Sequence, residues 1–130
     1  MIIAIDFDGT IVQNEFPRIG TLLPLAKESI NRLCQDGHYI IIWTCRCGDQ
    51  LTDMVNFLLQ NDIRFHRIND NEPEQTAKYN SNSRKIYAHA YIDDKSIACP
   101  KTDNNIIDWL NIYQQILQIE TNYQNKRLVS

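Results

Sequence analysis

The chain has 130 residues, a formal net charge of −3, 43% hydrophobic residues and 22% charged residues. That length fits one domain without room for a second, and the acidic balance offers no general attraction to nucleic-acid phosphates. No run of 18 or more apolar residues occurs, so no membrane-spanning helix is expected. The opening residues, Met1-Ile2-Ile3-Ala4-Ile5-Asp6, lack the basic region of a signal peptide. The expectation is a cytoplasmic protein with neither nucleic-acid nor membrane partners. Cys34, Cys45, Cys47 and Cys99 match neither the redox C-x-x-C spacing nor paired zinc ligands, and read as reduced structural thiols.

In chain order, residues 2–5 form a short apolar run ending in Asp6, the pattern of a fully buried strand. Ala26, Ile30, Leu33 and Cys34 recur at helical spacing, with Pro24 suited to the first turn and Gly37 to the stop. Residues 39–43 give a second apolar strand, ending in Thr44. Leu51, Met54, Val55, Leu58 and Leu59 make a second helical stripe, opened by Gly48 and Asp49. Residues 63–68 alternate apolar and polar, as in a strand nearer an edge. Residues 69–83 are polar, Asn-rich and without period, which predicts a long loop, a type that is usually functional or disordered. Residues 88–92 are a fourth apolar stretch, ending at Asp93-Asp94. Ile106, Trp109, Leu110, Tyr113, Ile116 and Leu117 predict a last helix, with Asp103 or Asn104 as its N-cap. Residues 1–121 are expected to form the domain and residues 122–130 a frayed polar tail. Strands alternating with helices predict an α/β fold, a three-layer sandwich around a mainly parallel sheet.

The chemistry is expected where polar residues follow the strands. Asp6, Thr44 and Asp93 each stand at or beside the end of a buried apolar run, and ligands of open α/β sheets bind at the carboxyl ends of the strands. Carboxylates brought together there repel one another unless a cation or a shared proton compensates. Oxygen ligands of this kind suit Mg²⁺, which keeps several waters and binds substrate phosphate. In Asp6-Phe7-Asp8-Gly9-Thr10 a second carboxylate stands two residues on, and Gly9 permits a tight turn. One carboxylate can attack as a nucleophile while the other transfers a proton.

Asp6-Phe7-Asp8-Gly9-Thr10-Ile11-Val12 resembles the first motif, D-x-D-G-T, of the haloacid dehalogenase superfamily. Thr44 matches the second motif, Asp93-Asp94 the fourth, and Lys85 is the best candidate for the third, with Lys78 behind it. The resemblance implies a Rossmann-like fold and a phosphomonoester hydrolase. Asp6 would attack phosphorus and carry an aspartyl-phosphate, and Asp8 would act as general acid and base. Mg²⁺ would be held by Asp6, the Asp8 main-chain carbonyl and Asp93, with Asp94 in support. Thr44 would bind a phosphoryl oxygen and Lys85 would offset charge. The second acid also separates this pattern from the superfamily's ATPases, phosphonate-cleaving members and dehalogenases.

Neither interval between motifs has room for a cap domain, so the resemblance is to capless members, whose open crevices often act on large substrates; the expected substrate here is a phosphorylated small molecule. Other such members borrow a lid from another subunit, as in a homo-oligomer; residues 69–83 are the candidate for a minimal lid. Arg46, two residues past Thr44, is either a further anion-binding group or a surface arginine. His38, His66 and His89 lack metal spacing and read as non-catalytic. The rival readings are a non-catalytic phosphate- or protein-binding module on the same scaffold, and a receiver-like signalling domain. The latter fits less well, because its phosphorylated Asp follows the third strand.

Overall fold

A computed structural model describes residues 1–129. Its elements, in chain order, are β1 (Ile2–Ile5), α1 (Ala26–Gln35), β2 (Tyr39–Ile42), α2 (Gly48–Gln60), β3 (Arg67–Ile68), α3 (Pro73–Tyr79), β4 (Ala90–Ile92) and α4 (Trp109–Val129). The strands form one sheet in the order β3-β2-β1-β4, and every pair is parallel. Ile3 lies opposite Ile40 and Ala90, and Ile5 opposite Ile42 and Ile92, so the central strand is apolar because both of its faces are covered.

The two-residue period of the strands sorts side chains into two unequal layers. Ile3, Ile5, Ile40 and Ile42 point into the main core, with Ile30 and Leu33 of α1, Met54 and Leu58 of α2, and Ile112 and Ile116 of α4. Ile2, Ala4 and Ile41 point the other way, where Ile86 and Ala88 bury them. The architecture is an α/β, Rossmann-like three-layer sandwich with one heavy helical layer and one thin one. No domain is inserted between β1 and β2 or between β2 and β4 among the described residues, and no helix there is long and apolar enough to cross a membrane.

Several local expectations change. The predicted strand over residues 63–68 is paired only at Arg67–Ile68, because the His66 ring Nδ1 takes the Ile40 N–H that a longer ladder would use. In the same way, β4 begins at Ala90, with His89 Nδ1 accepting from the Ile2 N–H. Residues 69–83 are not a featureless loop. They contain α3, with Pro73 in its first turn, the Glu72 side chain accepting from the Glu74 N–H, and Asn80 in a left-handed C-cap. Asn71, buried, ties the segment down: its amide donates to Asn82 Oδ1 and the Ser83 carbonyl and accepts from the Tyr87 N–H.

The last helix starts at Trp109, capped by Asp108, whose carboxylate accepts from the Asn111 N–H; Asp103 and Asn104 lie in the preceding turn. Trp109, Ile112 and Ile116 are its buried stripe, whereas Leu110 and Leu117, like Leu59 on α2, are exposed. Of the expected tail at residues 122–130, residues 122–128 are exposed but helical, since α4 continues to Val129; Ser130 lies outside the described residues. One polar turn after another can extend a helix already anchored by its first half.

Candidate functional site

The carboxyl ends of β1, β2 and β4 open onto one crevice of about 340 Å³. Asp6, Asp8, Thr44, Arg46 and Asp93 line it, as do Asn14, Phe16, Cys45 and Lys95. Asp6 is held at the sheet because its N–H donates to the Ile92 carbonyl at 2.9 Å, one step beyond the last β1–β4 pair. The chain then turns sharply. Gly9 has φ +87°, and a Cβ there would overlap the Asp94 carboxylate, so this position requires glycine both for its backbone angle and for the close approach of the acid.

Thr10, fully buried, joins the first acidic turn to the last. Its hydroxyl lies 3.1 Å from Asp6 Oδ2 and 3.3 Å from Asp94 Oδ1, to either of which its single proton can be donated, and it accepts from the Asp94 N–H at 3.0 Å. Trp109 Nε1 donates to the Thr10 carbonyl at 2.7 Å, so α4 clamps the same turn from below. Thr10 completes the D-x-D-G-T motif, yet nothing in the spacing alone indicates that it bridges Asp6, four positions before it, and Asp94, 84 positions after it.

Asp6, Asp93 and Asp94 each offer an oxygen within 4.8 Å of the others. The crowding has an electrostatic cost that falls on Asp6, whose carboxyl is pushed up to about 7, first by burial and next by the Asp93 charge, with Thr10 donation opposing and Asp94 adding to the rise. A cation placed among the three would relieve this repulsion, and an all-oxygen donor set fits a hard divalent ion such as Mg²⁺. The residues present therefore fit the metal that the sequence suggested.

Thr44 stands at the crevice, fixed from two sides. Asn69, just past β3 at φ +52°, accepts from the Thr44 N–H and donates to the Thr44 carbonyl, both at 2.8 Å. The Thr44 hydroxyl accepts from the Arg46 N–H at 3.1 Å and keeps its own proton to give. Asn69 was read from sequence only as the start of a loop; an Asn directly after a strand, able to adopt the left-handed region, was the available signal.

Arg46 departs from both sequence expectations. Its side chain is 1% exposed, so it is no surface residue, and all five of its N–H groups are engaged. Nε and Nη2 hold the two Asp8 carboxylate oxygens, each at 2.8 Å; the remaining protons go to the carbonyls of Pro17, Arg18 and Gln50. The guanidinium is also flanked by the rings of Phe7 and Phe16. With no donor left over, Arg46 does not bind a substrate anion in this arrangement.

Lys85 lies outside the crevice lining, its ammonium 5.6 Å from the centre of the Tyr91 ring, and Lys78 sits over Tyr79. The lysine lining the crevice is Lys95, which follows the acids, whereas the third motif places its lysine before them. None of residues 69–83 lines the crevice either: Asn71 and the burial of Ile86 and Ala88 hold that segment on the thin face of the sheet. The loop beside the crevice is instead the one carrying Asn14 and Phe16. Among the cysteines, all unpaired, Cys45 and Cys47 are exposed and so are not packing residues.

No family model matches the chain, and no curated protein matches it. Among solved structures, a conserved protein from Bacteroides thetaiotaomicron is 36% identical to it, over 91% of this chain and 90% of that one, with a TM-score of 0.76.

Proposed function

This chain belongs to the same family as that Bacteroides thetaiotaomicron protein, and we propose that it is a Mg²⁺-dependent phosphomonoester hydrolase of the haloacid dehalogenase superfamily. The observation that carries the reading is the convergence of Asp6, Asp8, Thr44 and Asp93 on one crevice at the strand ends, with three acidic oxygens spaced to share a cation.

In this reading an Asp6 oxygen attacks phosphorus. The new P–O bond forms as the ester P–O bond breaks, and Asp8 gives its proton to the departing alkoxide. Asp8, now a carboxylate, takes a proton from water, whose oxygen attacks the aspartyl-phosphate and releases inorganic phosphate and Asp6. Thr44 donates to a phosphoryl oxygen, and Lys95 is the ammonium that faces the growing negative charge. Lys85 could share this work only by leaving the Tyr91 ring. Bound by Asp6, the Asp8 carbonyl, Asp93 and Asp94, Mg²⁺ would neutralise the acids and the phosphate. The capless crevice sets no upper limit on substrate size, and a phosphorylated small molecule is the simplest occupant. We place the activity in the cytoplasm, where four unpaired cysteines are expected.

A phosphate-binding module without turnover is the competing reading, since the same acidic cluster and Thr44 could hold a cation and a phosphate without cleaving an ester. Hydrolysis of p-nitrophenyl phosphate separates the two. Turnover that needs Mg²⁺ and falls by about 10³-fold or more in Asp6→Asn supports the hydrolase; folded, Mg²⁺-binding protein without turnover of any ester would leave the binding module.

A further inference from the structure

We propose that Arg46 is a positioning residue that joins Asp8 and the loop of residues 14–18 into one unit, and so sets where the proton-transferring carboxylate stands. The inference rests on the hydrolase reading and adds to it a residue that this reading does not use.

Three observations converge. Asp8 and Arg46 form a two-pronged pair, with both contacts at 2.8 Å, in which the arginine is almost wholly buried and the acid still reaches the crevice. Such a fork fixes the plane of the carboxylate, not merely its charge. The other three guanidinium protons bind backbone carbonyls at Pro17, Arg18 and Gln50, which belong to the crevice loop and to α2. Phe16, 57% exposed at the crevice, packs on the guanidinium with its ring centre 5.1 Å away. A movement of the loop therefore carries Arg46, and with it Asp8, relative to Asp6. The Arg46 backbone N–H also donates to the Thr44 hydroxyl oxygen, which links the phosphoryl-binding group to the same unit.

Arg46→Lys keeps the charge but cannot reproduce five directed bonds. A residue acting through a general acid affects most the esters whose leaving group needs a proton. Two substrates are therefore compared in wild type and Arg46→Lys: p-nitrophenyl phosphate, whose phenolate leaves as an anion, and glycerol 2-phosphate, whose alkoxide does not. The expected result is a kcat loss of about 100-fold on the alkyl ester and about 3-fold on the aryl ester, with KM little changed and the protein folded. Equal losses on the two esters, or no loss, would overturn the proposal.

If wild type turns over neither ester, the hydrolase reading fails by itself, and trypsin cleavage after the exposed Arg18 tests the unit directly. Arg46→Lys should be cut there several-fold faster than wild type, and an unchanged rate would overturn the unit. Asp8→Asn carries the same test without altering the buried arginine: weakening the pair should also speed cleavage at Arg18, and an unchanged rate counts against the proposal in the same way.

Discussion

At the carboxyl ends of the strands, Asp6, Asp93 and Asp94 crowd together with only a threonine hydroxyl between them. At the amino ends, a histidine stands immediately before each of β2, β3 and β4. His66 and His89 accept, through Nδ1 at 2.9 Å, the first spare N–H of the neighbouring strand, from Ile40 and Ile2 respectively. His38 faces the Met1 amino group through Nδ1 at 2.9 Å, with Nε2 2.9 Å from Glu120. Polar groups thus fringe both ends of one sheet, but at one end their neighbours share their charge, whereas at the other the His66 and His89 rings each hold a strand N–H, and His38 Nε2 lies near Glu120 without a hydrogen bond. The difference teaches where to look for function: groups holding a strand N–H have structural work, and acids that repel one another are the ones a cation would relieve.

The largest test of this contrast lies in the crevice. Lys95→Ala should lower kcat/KM for p-nitrophenyl phosphate by about 10- to 100-fold, and Lys85→Ala by less than about 3-fold if its ammonium stays on Tyr91. A reversed order in the steady-state kinetics would mean that Lys85 leaves Tyr91 when substrate binds.

The two ends should also give opposite pH slopes. Asp6 holds its proton up to about 7, whereas the unfolded chain gives it up near 3.8, so the metal-free protein should lose stability as pH rises through that interval. His38 and His89 are pushed below 6.5, chiefly by burial, so their contribution is present above 6.5 and is lost as pH falls below it. Thermal unfolding in a chelator between about pH 4 and 8 should show the falling arm disappear in Asp6→Asn and on adding Mg²⁺. An arm that persists under both conditions would remove the acidic cluster from the account.

The smallest effect belongs to the amino end. His89→Ala should cost about 1 kcal/mol in urea unfolding, the worth of its bond to the Ile2 N–H. Its kcat should stay within about two-fold of wild type. A large kinetic loss would show that the ends are not independent.

The elements most legible in the sequence were those whose neighbours are dictated by periodicity. The apolar runs of β1 and β2 could only be buried strands, and Asp6 and Thr44 followed them to the crevice. Arg46 was misjudged because its meaning depends on Asp8, 38 residues away, and on carbonyl groups that carry no side-chain signal. Residues 63–68 alternated as a strand should, but a ring nitrogen of His66 competes for the ladder, and no pattern of hydrophobicity records that. The polar stretch at residues 69–83 was folded by Asn71, a single buried amide among many exposed ones.

The bond from Trp109 to the Thr10 carbonyl spans 99 positions of the chain. During synthesis, β1 and the acidic turn leave the ribosome well before the β4 strand that brings Asp93 and Asp94 beside that turn, and before the indole that holds it. Loop closure over such separations is slow and comes late in folding. The growing chain therefore carries its acids apart until β4 pairs, and the acidic turn gains its last clamp only when the C-terminal helix docks.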